Sequence, residues 1–284
     1  MRYSVFTVSI PDLEPEAALR EMKALGYEGV EWRVVDQGEA LAGKPGFWAG
    51  NRCTWPLSRL LEDADRIRRL TQEMGMVMPS VGTYVSCEDL AQVELAMQGV
   101  SRLGARQLRV GVGGYDGKAP YLPLRDRALR RYCEVAALAG RYGLRALVEI
   151  HMNSLIPSAS AAADFVRHFD PAQVGVIHDA GNMVYEGYEQ YAMGLALLGP
   201  YLAHVHLKNA RWETAGDRPD GSVIWRAVSA PLDQGVVDVA ALFRALREVG
   251  YEGWISTEDF STEHGTLEKL RRNREFIRRV EAAG

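Results

Sequence analysis

Four short apolar runs, each ending in a carboxylate or an imidazole, constrain this chain more than any other feature. Leu144-Arg-Ala-Leu-Val-Glu-Ile-His151 carries the apolar stretch Ala146–Val148, stops at Glu149 and places His151 two residues on. Val174-Gly-Val-Ile-His-Asp179, Leu202-Ala-His-Val-His206 and Gly253-Trp-Ile-Ser-Thr-Glu258 repeat the pattern. A short apolar run after a helical segment reads as a strand buried on both faces, as in a parallel sheet. Its polar ending then stands at the strand's C-terminal edge, where parallel α/β folds gather their chemistry. Taken singly, Glu149 reads as readily as the ion-pair partner of an arginine or lysine, because a buried carboxylate needs a cation. Recurrence in consecutive units points instead to a shared site.

The rest of the chain supplies the same rhythm. Tyr3–Ser9, Gly29–Val35, Val77–Gly82 and Gln107–Val112 read as the first four strands, with Glu31 and Arg33 on one face of the second. Apolar spacing predicts helices over Pro15–Leu25, Leu57–Met74, Glu88–Leu103 and Asp126–Gly140, with Asp126 as an N-cap. Further helices follow at Ala159–His168, Tyr188–Leu198, Val239–Val249 and Thr266–Ala283, and Gly26, Gly75 and Gly104 read as stops. Eight strands, each followed by a helix, in 284 residues give the size of one α/β domain, a (β/α)8 TIM barrel over residues 1–284. A doubly wound sheet would normally bring a glycine fingerprint after its first strand, and Ser9-Ile10-Pro11-Asp12 is not one. Gly113-Gly114 reads as a turn, without phosphate-loop context.

Composition narrows the partners. A formal net charge of −4 argues against nucleic acid or an anionic membrane surface as a partner. Cys53, Cys87 and Cys133 form no CxxC pair, which suggests unpaired thiols in a reducing compartment. No stretch has the apolar length to span a bilayer, and Pro11-Asp12-Leu13-Glu14 interrupts the start before a signal core develops. A soluble, cytoplasmic protein is the expectation.

In a barrel the strand ends converge, so Glu149, Asp179, His206 and Glu258 would share one centre. Three carboxylates and an imidazole are a hard, oxygen-rich set that suits Mn²⁺ or Mg²⁺, with Co²⁺ or Zn²⁺ as alternatives. Without a cation the carboxylates would repel and one would protonate. His204 shares the face of His206, His178 faces the barrel–helix layer as a core residue, and His168 and His264 read as surface. His151 shares the tip of the Glu149 strand, within reach of a substrate. The glycine-rich loop Asp36–Pro56, with Phe47, Trp48 and Trp55, reads as a lid or binding loop, or as local packing. The insertion Arg211–Pro231 carries Trp212, Arg218, Trp225 and Arg226. With Trp48, Trp55 and Tyr84 these residues would wall a sugar pocket; equally, they would serve a homo-oligomer contact.

Glu149 in VEIH, Asp179 in HDAGN, His206 in HVHLKN and Glu258 in STEDF resemble the xylose-isomerase-like TIM-barrel family of sugar isomerases and epimerases. ALGYEGVEWR near the N-terminus and PLDQGVVD…LREVGYEGWISTE near the C-terminus extend the likeness along nearly the whole chain. The resemblance implies a divalent ion, commonly Mn²⁺, on Glu149, Asp179, His206 and Glu258, chelating a substrate carbonyl and a neighbouring hydroxyl. It also implies that Glu149 and Glu258 act as the acid/base pair, with Asp179 and His206 as ligands only. Substrate contacts fall to His151, Asn182, Lys208, Arg211, Trp48 and Tyr84. Three departures stand out: Asn182 where many members have a histidine, Lys208-Asn209 in place of Lys-Asp, and Arg211 as the counterpart of a substrate-holding arginine. The implied activity is isomerisation or epimerisation of a keto-sugar or polyol; the alternative is a lyase or dehydratase acting on a keto-inositol or 3-keto-glycoside. No phosphate-binding motif is evident, which leans toward a non-phosphorylated substrate. The related endonuclease IV barrels need more histidines and a basic groove, and six His with an acidic balance argue against that class.

Overall fold

The computed structural model describes residues 1–40 and 43–283, so positions 41 and 42 of the aromatic loop lie outside the described residues. In chain order the elements are β1 (Arg2–Phe6), α1 (Pro15–Leu25), β2 (Gly29–Val34), β3 (Thr54–Trp55), α2 (Leu60–Glu73), β4 (Val81–Thr83) and α3 (Leu90–Leu103). They continue with β5 (Gln107–Arg109), α4 (Tyr121–Tyr142), β6 (Arg145–Glu149), α5 (Ala159–Val166), β7 (Val174–Asp179), α6 (Ala180–Glu186), α7 (Tyr191–Leu198) and β8 (Leu202–Leu207). Last come β9 (Asn209–Asp217), β10 (Val223–Ala230), α8 (Val239–Glu248), β11 (Trp254–Thr257) and α9 (Thr266–Ala283). Eight parallel strands pair in the order β1-β11-β8-β7-β6-β5-β4-β2, and β1 with β2 closes the barrel. This is the (β/α)8 fold that the strand-and-helix rhythm predicts.

Local chemistry explains most element bounds. Helix α1 has proline in its first turn and ends on Gly26 at φ 85°, a left-handed cap that only glycine takes cheaply. Asp89 caps α3 and Ser158 caps α5 by accepting backbone N–H bonds. Strands β2 and β7 are buried at every position, as strands covered by helices on one face and a filled barrel on the other must be. Gly82 is required by a close approach: a methyl group there would sit 2.2 Å from the Phe6 ring.

Four expectations shift. The third barrel strand is shorter than Val77–Gly82: Val77 makes one bridge to Gly29, and regular pairing waits until β4, beyond Pro79, which lacks a donor. Helix α4 starts before Asp126, at Tyr121, because Pro120 presets an extended cap and Pro123 falls in the first turn, where no N–H is needed. The segment around Tyr188–Leu198 contains only α7, while a separate α6 begins directly at Asp179. The insertion folds as the antiparallel hairpin β9–β10. No helix among the described residues is long and apolar enough to cross a membrane.

His178 lies where alternation along β7 places it, buried against the edge of the Tyr191 ring with neither ring nitrogen hydrogen-bonded among the described residues. Burial pushes its imidazole down to about 4 from 6.5. The unfolded chain therefore takes up a proton first as pH falls through 6.5, and native stability is lost down to pH 4. The full loss from this group is about 3 kcal/mol. A His178→Leu variant is expected to lose less stability than wild type in urea melts between pH 7 and pH 4.5; parallel losses would refute that assignment.

Candidate active site and metal centre

Glu149 closes β6, Asp179 closes β7, His206 lies near the end of β8, and Glu258 follows β11 directly. Register aligns them: Asp179 pairs with His206, and His206 with Ser256, two residues before Glu258. One donor atom from each of the four lies within 4.8 Å of the others, and all four residues are buried. His206 Nδ1 is 3.1 Å from Glu149 Oε1, 3.7 Å from Glu258 Oε2 and 3.8 Å from Asp179 Oδ2. Asp179 spends its other oxygen on capping α6, accepting the Asn182 N–H at 2.8 Å, and so turns Oδ2 to the centre.

The donor set fits a hard divalent cation. Burial, together with the carboxylates of Glu258 and Glu149, pushes Asp179 up to about 6 despite the Lys208 ammonium beside it. Burial opposes charge on His206, yet Glu31, Glu149 and Glu258 together hold its imidazole well above the ordinary range. So much negative charge in a dry site calls for positive charge.

Two side chains supply part of it. Arg109 Nη1 lies 2.5 Å from Glu149 Oε2, and its Nε donates to the Thr83 carbonyl at 3.0 Å. The guanidinium packs over Tyr84 at 4.2 Å. Burial opposes ionisation of Glu149, but Arg109 and His206 hold its carboxyl well below the usual carboxylate range. Lys208 Nζ lies 2.5 Å from Glu258 Oε2 and 2.9 Å from Asp179 Oδ2. Its stem passes where Gly181 has no side chain; a methyl there would sit 2.3 Å from Lys208 Cγ.

Above the cluster opens a cavity of about 750 Å³. Glu149 and Glu258 line it, whereas Asp179 and His206 lie beneath. Phe47, Trp48, Tyr84 and Phe260 form one wall, with Trp48 5.1 Å from Phe260 and 6.5 Å from Tyr84. Gly111–Gly114 and Met152–Ser154 complete the lining beside it.

His151, Lys208, Trp48 and Tyr84 line this cavity. Asn182 does not; it is buried behind Glu149, donating to the Ile150 carbonyl at 3.0 Å with its amide 3.4 Å from Glu149 Oε1. Arg211 also stands outside, held on β9 by Glu213 at 2.9 Å and Glu263 at 3.0 Å. Trp55 packs edge-on against Trp32, and Trp212 and Trp225 are exposed on the hairpin away from the cavity. His204 points into the barrel interior, as its parity with His206 requires. Sequence reasoning missed Arg109: the strand read as Gln107–Val112 put it in mid-strand, whereas β5 ends at Arg109.

Arg109→Lys keeps the charge but loses the fork between Glu149 and Thr83 and the stacking on Tyr84. If the cluster is catalytic, kcat/KM of this variant falls about 10- to 100-fold, the worth of one charged hydrogen bond. Steady-state kinetics of the variant check this, and an unchanged value would show that a point charge suffices.

The model of the family described as xylose isomerase-like TIM barrel matches residues 19–280. The inosose dehydratase of Geobacillus thermodenitrificans (strain NG80-2) is 30% identical over 129 residues, covering 43% of this chain and 42% of that protein. The chain thus spans a little under half the length of the curated relatives it matches. Among solved structures, the IOLI protein with a bound zinc atom aligns at a TM-score of 0.74 and 16% identity, over 100% of this chain and 99% of that one. The 3-keto-D-glucoside 4-epimerase of E. coli aligns at 0.70 and 16% identity, over 99% of each chain. At these identities the structural likeness is one of fold.

Proposed function

The chain belongs to the xylose isomerase-like TIM-barrel family, and from that premise we propose a divalent-metal-dependent isomerase or epimerase of a keto-sugar or polyol. One observation carries the reading: of four clustered ligand residues, the two glutamates face the cavity while Asp179 and His206 lie beneath. Two carboxylates presented to one substrate can remove and return a proton.

Glu149, Asp179, His206 and Glu258 hold the cation; we propose Mn²⁺, with Mg²⁺, Co²⁺ and Zn²⁺ as the competitors to assay. When bound, such an ion supplies Lewis acidity that makes the C–H beside a substrate carbonyl easier to ionise. Either Glu149 or Glu258 takes that proton, and the other returns one to the neighbouring position or the opposite face. Arg109 and Lys208 anchor one oxygen of each glutamate, fixing the lone pairs that work. His151, Lys208, Trp48 and Tyr84 contact the sugar, with the aromatic wall against its C–H face. Asn182 acts through Glu149, and we leave Arg211 out because its carboxylate partners hold it outside the cavity. Unpaired cysteines, two of them buried, support a cytoplasmic setting.

The dehydratase relatives favour a second reading, in which removal of the same proton is followed by loss of a β-hydroxyl as water, protonated by the second glutamate. Incubation with Mn²⁺ in D₂O and a panel of ketoses, keto-inositols and 3-keto-glycosides, followed by NMR and mass spectrometry, separates the two. Deuterium next to a carbonyl in recovered sugar or epimer is the expected result. Loss of water or aglycone would move the protein to the lyase reading, and inert substrates with a metal-loaded protein would sink both.

A further inference from the structure

We infer that Glu31 is the positioning residue of the metal centre, dictating which nitrogen of His206 faces the cation. The inference rests on the metal reading above but concerns a residue outside the ligand set. Glu31 stands on β2 and reaches into the barrel interior, fully buried. Its Oε2 lies 3.1 Å from His206 Nε2 and 3.0 Å from His204 Nε2. His204 Nε2 is also 2.9 Å from Ser256 Oγ, which is 2.8 Å from Ser4 Oγ. These groups form a polar layer one level below the ligand cluster.

A neutral imidazole carries one N–H, and the nitrogen that serves as a ligand must be bare. Nδ1 of His206 faces Glu149, Asp179 and Glu258, so the N–H must sit on Nε2. Among the described residues, Glu31 is the group hydrogen-bonded to that nitrogen. Take Glu31 away and the balance reverses: Nε2 would be buried without an acceptor, while Glu149 Oε1, 3.1 Å from Nδ1, would draw the proton onto the ligand nitrogen. A carboxylate behind a metal-bound histidine commonly fixes its tautomer in this way. Phe6 completes the device by packing its ring 5.4 Å from that of His206, limiting rotation about the Cβ–Cγ bond. His204 in turn holds Glu31: both histidines converge on Oε2, while Oε1 makes no hydrogen bond among the described residues.

Glu31, His204 and His206 also bring donor atoms within 4.8 Å of one another, so a second ion in this lower layer is the competing reading. It would need a bare Nε2 on His206, the opposite of what positioning requires.

Zn²⁺, which is diamagnetic, is the probe. Chelator competition and metal analysis on wild type, Glu31→Gln and Glu31→Met give affinity and stoichiometry. Long-range ¹H–¹⁵N spectra of the imidazoles give the tautomer of His206. We expect one Zn²⁺ per wild-type chain, with the His206 proton on Nε2. Affinity should fall in the order Glu, Gln, Met, since the amide keeps a good acceptor and the thioether only a weak one. The loss should be about 10- to 100-fold for the methionine variant. Equal affinities in all three, with His206 still metal-bound through Nδ1, would overturn the positioning role and leave the metal reading intact. Two Zn²⁺ per chain, or metal on Nε2, would overturn it in favour of the second site. A wild-type protein that binds no Zn²⁺ would remove the metal reading and the inference with it. If neither variant folds, Glu31→Asp, which withdraws the carboxylate by one methylene, takes their place, and wild-type Zn²⁺ affinity in it would overturn the positioning role.

Discussion

Glu149→Gln and Glu258→Gln are each expected to lower kcat by about 10²- to 10⁴-fold, the usual worth of a positioned general acid or base. Glutamine keeps the shape and one oxygen able to approach a cation, but it cannot take up a proton. The two variants should differ in character. Glu149→Gln leaves Arg109 without its 2.5 Å carboxylate partner, so that variant should also be the less stable. Glu258→Gln leaves Lys208 still paired with Asp179 at 2.9 Å. If the two glutamates serve opposite faces of one carbon, each variant should still exchange the substrate proton from one epimer and not from the other. Proton wash-out measured from both epimers, alongside metal content, checks this. Metal-loaded variants that keep full activity would dismiss the two-carboxylate mechanism.

His206→Ala is expected to abolish metal retention while leaving a folded barrel. Losing a mere outer partner of a ligand costs 10- to 100-fold in affinity; losing a central ligand should cost at least the upper end of that range. Folding should survive because the surrounding strands are packed by their apolar positions and Glu31 keeps His204 as a partner. Stability should nonetheless drop by about 3–5 kcal/mol in the metal-free protein, as when one member of a buried ion cluster is removed. Metal analysis after dialysis and urea unfolding at pH 7 measure the two effects. Wild-type metal affinity would exclude His206 as a ligand; an unfolded chain would show that the barrel depends on it.

The strand ends that carry Glu149, Asp179, His206 and Glu258 were legible because apolar periodicity and a polar stop are local signals, and a barrel brings such stops together. What lay out of reach was every contact set by strand order across the barrel. Glu31 was assigned a face on its strand, but nothing local says that β2 looks across the interior at β8. Arg109 likewise needed the β5–β6 register to meet Glu149. Arg211 shows the converse limit. The family resemblance made it the counterpart of a substrate-holding arginine, yet a residue on a hairpin follows the hairpin's own alternation, which puts it beside Glu213. Trp55 was drawn to the pocket by the aromatic content of its loop, whereas β3 pairs with β2 and turns the ring inward.

The aromatic wall has a consequence for how such an enzyme diversifies. Phe47 and Trp48 follow β2, Tyr84 follows β4 and Phe260 follows β11, so ring contacts tie one arc of loops into a braced unit that also stacks on Arg109. Change on that arc propagates to Glu149 through Arg109. The loop after β5 is different: a methyl group at Gly111 or Gly114 meets only a backbone oxygen, of Val85 at 3.5 Å and of Asn153 at 3.4 Å, and neither residue has a positive φ. On the proposed reading, a side chain at either position would narrow the cavity without touching a ligand residue, so selection for a new substrate would have a separate dial from selection for rate.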